Sequence, residues 1–219
     1  MDSLSRAVVL VSGRGRNLQA LLAARAAGTL PLNITRVITN RPGIPALDIA
    51  ARASVPGTVL QPKGFSSRAA FDAELARHVA AENPDWVVLA GYMRILDSAF
   101  VQQFAGRLVN IHPSLLPRHR GLDTHRRALA AGDARHGATV HLVTADLDAG
   151  PGILQGSIAV AAQDTPTSLA DRVMHQVETR IYPQALGWLA SGRVDFADGR
   201  VRMDNRPLEA PIHVDCDST

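Results

Sequence analysis

The stretch Val109 to Gly121, VNIHPSLLPRHRG, carries an amide and an imidazole two residues apart at the end of an apolar run, ahead of a proline-bounded loop. Side chains alternate along a strand, so a strand over Leu108 to His112 puts Asn110 and His112 on one face. An imidazole beside an amide donor can stabilise the oxyanion of an acyl transfer, and a nearby carboxylate can support the imidazole or relay a proton. Asp148, in the LDAGP turn, is the candidate carboxylate. Taken singly, each residue has a plainer use: Asn110 tying down a loop, His112 a satisfied buried histidine, Asp148 a turn former. Ser114 sits in HPSLLP and not in a Gly-x-Ser-x-Gly turn, so direct transfer is expected over covalent catalysis.

A second candidate is SGRGRN, residues 12 to 17, between the first strand pattern and the first helical one. Glycines there let the backbone approach a ligand while helix N–H groups point at an anion. The loop lacks the third glycine of a dinucleotide fingerprint, and Asn40 and Arg41 end the second strand where an acidic ribose ligand would be expected. It also lacks the Gly-Lys-Ser/Thr of a nucleoside triphosphate loop. An anion site and a plain strand-to-helix turn both fit two glycines. His119, His125, His136 and His141 do not have the paired spacing of helical metal ligands, and no metal is expected. His141 reads as a core or supporting histidine, whereas His125 opens a helix and could face a cleft. Met93, Ile95 and Leu96 in GYMRIL read as packing, or as the wall of a pocket for a flat ligand.

The elements that must position these groups alternate. Strand patterns AVVLVS (7–12), ITRVIT (34–39), GTVLQ (57–61), WVVLAG (86–91) and LVNIH (108–112) are separated by helical ones. Asn17 is expected to open the first helix and Gly28 to close it; Ser66 or Ser67 opens another through Ala81, and Asp97 or Ser98 caps a short one. Apolar strands alternating with helices predict an α/β fold: an open, mostly parallel twisted sheet with helices on both faces. In such a sheet ligands bind beyond the carboxyl ends of the strands, where Asn110 and His112 fall. ATVHLVTADLDAGPGILQGSIAV leaves no room for a crossover helix, so antiparallel strands are expected near the C-terminal end. A helix from Thr167 to about Ala190, interrupted or bent near Pro183, should follow, then a hairpin in VDFADGRVRM with an Asp-Gly turn and a loosely ordered tail. One domain over 1–192 is expected, a phosphate-binding half to about 105 and a catalytic half from about 106, followed by the hairpin and tail at 193–219.

Composition narrows the function classes. The chain has 219 residues, 46% hydrophobic and 20% charged, enough for a substantial core. Its net charge is only +3 and its single Lys63 and many arginines form no stripe, which argues against nucleic acid as a partner. Cys216 is the one cysteine, excluding an internal disulfide framework. No apolar run approaches the roughly 20 residues that span a bilayer, and the N-terminus is unlike a signal peptide, so a cytoplasmic protein with no membrane partner is expected.

Several segments match one family together, in order and spacing, from about Val8 to Trp188: SGRGRNLQALL, LAGYMRIL, VNIHPSLLP, GLDTHRRAL, HGATVHLVTADLDAGPGILQ and ETRIYP. The chain resembles the folate-dependent glycinamide ribonucleotide formyltransferases, whose sheet is Rossmann-type in its first half. The resemblance implies transfer of a formyl group from 10-formyltetrahydrofolate, as co-substrate, to the amino group of glycinamide ribonucleotide in purine biosynthesis, by a monomer or homodimer. It places the catalytic Asn, His and Asp on Asn110, His112 and Asp148. It assigns the ribonucleotide phosphate to Gly15, Arg16 and Asn17, with Arg16 standing where the family usually has serine. Glu178 takes the contact to the substrate sugar, although the helix before it is one residue longer than in the family. Folate falls to Arg68, Met93, Arg94, Ile95, Leu96 and Asn110, and to the loop Thr144, Ala145, Asp146, Leu147 and Asp148, with Ala145 replacing a commonly acidic residue.

The nearest rivals share the chemistry and differ in the acceptor. Methionyl-tRNA formyltransferases share an HPSLLPRxRG segment, which this chain repeats as HPSLLPRHRG, but carry a further tRNA domain. Formyltetrahydrofolate hydrolases place an N-terminal regulatory domain ahead of a similar catalytic one. A non-catalytic folate or phosphosugar binder would be signalled by loss of Asn110, His112 or Asp148, and all three are present.

Overall fold

The structure, a computed structural model, describes residues 4–197 and 199–217. The chain divides into two compact units, Met1–Asn110 and Ile111–Thr219. No helix among the described residues is long and apolar enough to cross a membrane.

The first unit alternates strand and helix: β1 (Ser5–Val11), α1 (Arg16–Ala26), β2 (Leu32–Thr39), α2 (Pro45–Arg52), β3 (Gly57–Val59), α3 (Arg68–Ala80), β4 (Trp86–Leu89), α4 (Ser98–Gln103) and β5 (Leu108–His112). Its strands are parallel in the order β5-β4-β1-β2-β3. Ala7, Val8, Val9 and Leu10 of the central β1 are fully buried, as a strand covered on both faces requires. From β1 the chain steps outward to β2 and β3, then crosses back to β4 and β5. Right-handed crossovers therefore put α1 and α2 on one face and α3 and α4 on the other, and α1 packs on α2 and α3 on α4.

The strand order reverses between β1 and β4, which opens a crevice beyond their carboxyl ends. Ser12, just past β1, ties that point together. Its N–H donates to the Gly91 carbonyl at 3.1 Å, and its Oγ accepts the Met93 N–H at 2.9 Å and donates to Asn40 Oδ1 at 2.6 Å. Local signals set most helix ends: Ser67 caps α3 through the Ala70 N–H at 3.0 Å and Asp97 caps α4 through the Phe100 N–H at 2.8 Å. The expected cap at Asn17 is corrected. Gly15, at φ 77°, occupies the cap position and α1 starts at Arg16, so Asn17 lies buried in the first turn. The left-handed backbone that only glycine adopts freely starts the helix earlier than a side-chain cap would.

The second unit takes up the last residues of β5 and continues with α5 (Thr124–Ala130), β6 (Arg135–Leu142), β7 (Gly152–Ala159), α6 (Pro166–Arg172), a π-helical turn (Val173–Glu178), α7 (Thr179–Ala190), β8 (Val194–Ala197), β9 (Arg200–Met203), β10 (Arg206–Pro207) and β11 (Ile212–Asp215). β6 and β7 are antiparallel, as their short connection dictates. The long helix is interrupted at the π-helical turn and not at Pro183, which lies inside α7. A π turn absorbs an extra residue without ending the helix, and the interruption expected near Pro183 is corrected to this turn. Gly156 on β7 lets this helical segment sit close: a Cβ there would come within 2.6 Å of Val177 and 2.9 Å of Ile181.

β8 and β9 form the expected hairpin, with β10 beside β9. Asp198 of its Asp-Gly turn lies outside the described residues. The tail is not loosely ordered where it is described: β11 runs parallel to β7, and the Cys216 N–H donates to the Ser157 carbonyl at 2.8 Å. Arg135 holds it from β6, reaching Asp215 at 2.8 Å and Asp217 at 2.9 Å. A strand of four residues with no crossover pattern before it leaves little trace in periodicity.

Candidate active site

In the second unit the strand end brings His112 into a buried polar setting, 6% exposed. Its Nε2 lies 3.1 Å from the backbone carbonyl of His119, so this nitrogen carries a proton and donates. Its Nδ1 faces Asp148 Oδ2 at 3.4 Å. Both ring nitrogens thus face acceptors, an arrangement that an imidazolium with two N–H groups satisfies and a neutral ring only half satisfies. Asn110, two residues back on β5, shares the face of His112 by strand alternation.

Asp148 is held in place by its own loop. It adopts φ 48°, and Oδ2 accepts the Gly121 N–H at 2.9 Å. Its other oxygen lies 4.0 Å from His141 Nε2. Burial drives the His141 imidazole down to about 4, so it is neutral near pH 7; its Nδ1–H donates to the Leu142 carbonyl at 2.9 Å.

The loop after β5 is pinned to the β6–β7 ladder. Thr139 Oγ1 donates to the Ser114 carbonyl at 2.7 Å and accepts the Leu116 N–H at 3.1 Å, and Gln155 Nε2 donates to the Leu116 carbonyl at 2.7 Å. His125, which opens α5 with Thr124, lies against His136, Nδ1 to Nε2 at 3.1 Å. Burial lowers both, His136 to about 4. Among the described residues no group of three or more His, Cys, Asp or Glu is arranged to hold a metal ion. Glu178, at the end of the π-helical turn, is 5% exposed, and burial together with the Glu178 charge raises the Tyr182 phenol. Thr144, Ala145, Asp146 and Leu147 form an exposed run, Leu147 being 52% exposed.

In the first unit Gly15, Arg16 and Asn17 sit at the N-terminus of α1, where backbone N–H groups point outward. A Cβ at Gly15 would meet Ala46 Cβ at 2.8 Å and Ala46 Cα at 3.0 Å, so α2 packs directly beneath the loop. The GYMRIL loop is clamped by α3. Arg68 donates to the Ile95 carbonyl, Asp72 accepts the Asp97 N–H at 3.0 Å, and the Arg94 guanidinium lies 4.5 Å over the Phe71 ring. The Arg68 side chain thus goes to the loop and that of Arg94 to the Phe71 ring of α3, while Met93 and Ile95 are 63% and 60% exposed and Leu96 is buried. Sequence reasoning missed the His119 carbonyl and the Asp133 carboxylate beside it, because neither a main-chain acceptor nor an aspartate in a turn gives a motif.

The sequence pattern of the formyl transferase family matches residues 5–186. A phosphoribosylglycinamide formyltransferase of Escherichia coli is 44% identical over 201 residues, covering 92% of this chain and 94% of that protein. The solved phosphoribosylglycinamide formyltransferase of Coxiella burnetii superposes with a TM-score of 0.91 at 44% identity, over 96% of this chain and 99% of that one. A formyltetrahydrofolate deformylase from Pseudomonas putida gives a TM-score of 0.81 at 26% identity, over 91% of this chain and 70% of that one.

Proposed function

The chain belongs to the formyl transferase family, and on that premise we propose that it moves the formyl group of 10-formyltetrahydrofolate to the amino group of glycinamide ribonucleotide, a step of purine biosynthesis. The products are formylglycinamide ribonucleotide and tetrahydrofolate. The free amine attacks the formyl carbon and a tetrahedral intermediate forms. The carbon–N10 bond then breaks, and the proton that the amine loses is matched by one gained at N10.

The observation that carries this reading is the double anchoring of the His112 ring, Nε2 on the His119 carbonyl at 3.1 Å and Nδ1 facing Asp148 at 3.4 Å. The second distance exceeds the 2.7–2.9 Å of a charge-assisted hydrogen bond. The Nδ1–H is therefore oriented without being fully committed, and it can turn to an oxyanion that also meets the Asn110 amide. Asp148 stabilises the imidazolium and assists the proton on its way from the amine to N10.

The ribonucleotide phosphate is assigned to the backbone of Gly15, Arg16 and Asn17, and the sugar to Glu178. The folate is assigned to the exposed faces of Met93 and Ile95, to Leu96 and the backbone of Arg94, and to the loop from Thr144 to Asp148. Arg68 supports that site by holding the Ile95 carbonyl. The family's identity and the length shared with the phosphoribosylglycinamide formyltransferases favour this acceptor.

The deciding experiment follows the folate absorbance change with and without glycinamide ribonucleotide. Turnover that requires the amine is expected. Equal turnover without it would instead make the protein a deformylase, and none under either condition would leave a binding module.

A further inference from the structure

Ser114 and His112 reach the backbone of residues 118 and 119, and Asp133 and His136 reach their side chains. The Asp133 carboxylate, in the turn between α5 and β6, lies 2.7 Å from His119 Nε2 through Oδ2 and accepts Arg118 through Oδ1. The side chains of Asp133 and His119 are only 7% and 10% exposed, so this hydrogen bond is shielded, whereas Arg118 stays 60% exposed. His119 is held at φ 55°, a left-handed backbone that a histidine adopts at a cost, and its ring meets the edge of His136 with centroids 6.2 Å apart. Ser114 Oγ donates to the Arg118 carbonyl at 2.7 Å. The carbonyl of this same His119 is the acceptor of His112 Nε2–H.

We propose that Asp133 is a positioning residue for formyl transfer: by gripping the His119 ring and Arg118 it fixes the His119 carbonyl under His112 and so sets the plane of the catalytic imidazole. The acceptor at Nε2 is a main-chain atom, which cannot be aimed by its own rotamer. It is aimed by whatever holds the residue, and the side chain of His119 has Asp133 as its hydrogen-bond partner. The other charged or titratable groups around the pair are Arg118, which balances the Asp133 charge, and His136 and His125, which burial keeps neutral. None of them competes with His119 for Asp133 Oδ2. The inference rests on the reading of His112 as the catalytic imidazole.

The test uses the full chain with Asp133→Asn, Asp133→Leu, His119→Phe and the double variant His119→Phe/Asp133→Leu. Loss of the grip should lower kcat by about tenfold or more, since small misplacements of a catalytic group are costly, while both KM values stay near wild type. The double variant should be no slower than the slower single one, because both remove one contact. Nitrogen-15 spectra of the histidine rings, with His112 assigned by His112→Gln, should show faster exchange of its Nε2–H with water in each variant. Wild-type kcat together with an unchanged His112 ring signal in Asp133→Leu would overturn the proposal, as would losses that multiply in the double variant. If Asp133→Leu does not fold, Asp133→Asn and His119→Phe decide it by the same readouts. The ring signal reports the grip without reference to turnover, whereas wild-type turnover in His112→Ala would remove the functional reading itself.

Discussion

The Asp148 oxygen that faces His112 Nδ1 at 3.4 Å is the same one that accepts the Gly121 N–H at 2.9 Å. One carboxylate oxygen therefore fixes the loop after β5 and orients the imidazole. Asp148→Asn keeps an acceptor for Gly121 and removes only the charge. Turnover should fall by about 10² while the thermal midpoint moves little, because the group acts on developing charge more than on the fold. The folate absorbance assay and a melting curve measured together check this, and near-native turnover in the folded variant would take Asp148 out of the chemistry.

Acid should destabilise the protein through its buried histidines. His136 and His141 are driven from 6.5 to about 4 by burial, and His125 is lowered too. For a depressed histidine, the unfolded chain binds protons first as pH falls below the unfolded value near 6.5, so the folded state loses stability from there down to about 4. The loss for each of His136 and His141 approaches about 3 kcal/mol at the low end of that window. Urea midpoints at pH 7 and pH 5 test the sign. A lower midpoint at pH 5 is expected, with the difference reduced in His136→Phe; a flat profile would contradict the burial argument.

Gly15→Ala should disturb the proposed phosphate loop twice over. The φ of 77° is strained for alanine, and its Cβ would meet Ala46 Cβ at 2.8 Å. A stability loss of about 1–3 kcal/mol is expected, together with weaker binding of glycinamide ribonucleotide, since α1 and its N–H groups must shift away from α2. Calorimetric titration with the ribonucleotide, compared with the folate-side KM, separates the two effects. Unchanged ribonucleotide affinity would count against the loop as the phosphate site.

Much of this architecture is written in local patterns. The apolar runs became β1 to β5, and Ser67 and Asp97 cap helices because short polar side chains before helical runs have few other uses. The antiparallel β6–β7 pair follows from a connection too short for a crossover. Two of the three proposed catalytic groups, Asn110 and His112, are legible because they share one strand face, but Asp148 reaches His112 only through tertiary folding. The helix cap at Gly15 is not legible because a left-handed glycine needs no capping side chain, whereas Asn17 two residues on looks like one. The π-helical turn is hidden because its residues have ordinary helical periodicity, while the helix runs on through Pro183 without interruption. β11 is short and earns its place only from the edge of β7.

That edge strand has a bearing on synthesis. The five parallel strands β1 to β5 all lie within the first 112 residues, so their pairing with one another can form while the rest is still being made. In the second unit β7 has β6 on one side and β11 on the other, and β11 begins only at Ile212. A growing chain that has made the loop holding Asp148 but not Ile212 leaves a ladder of unpaired N–H and C=O groups along β7. For that interval the nascent chain offers a template to any neighbouring strand, and the making of Ile212–Asp215 ends the exposure.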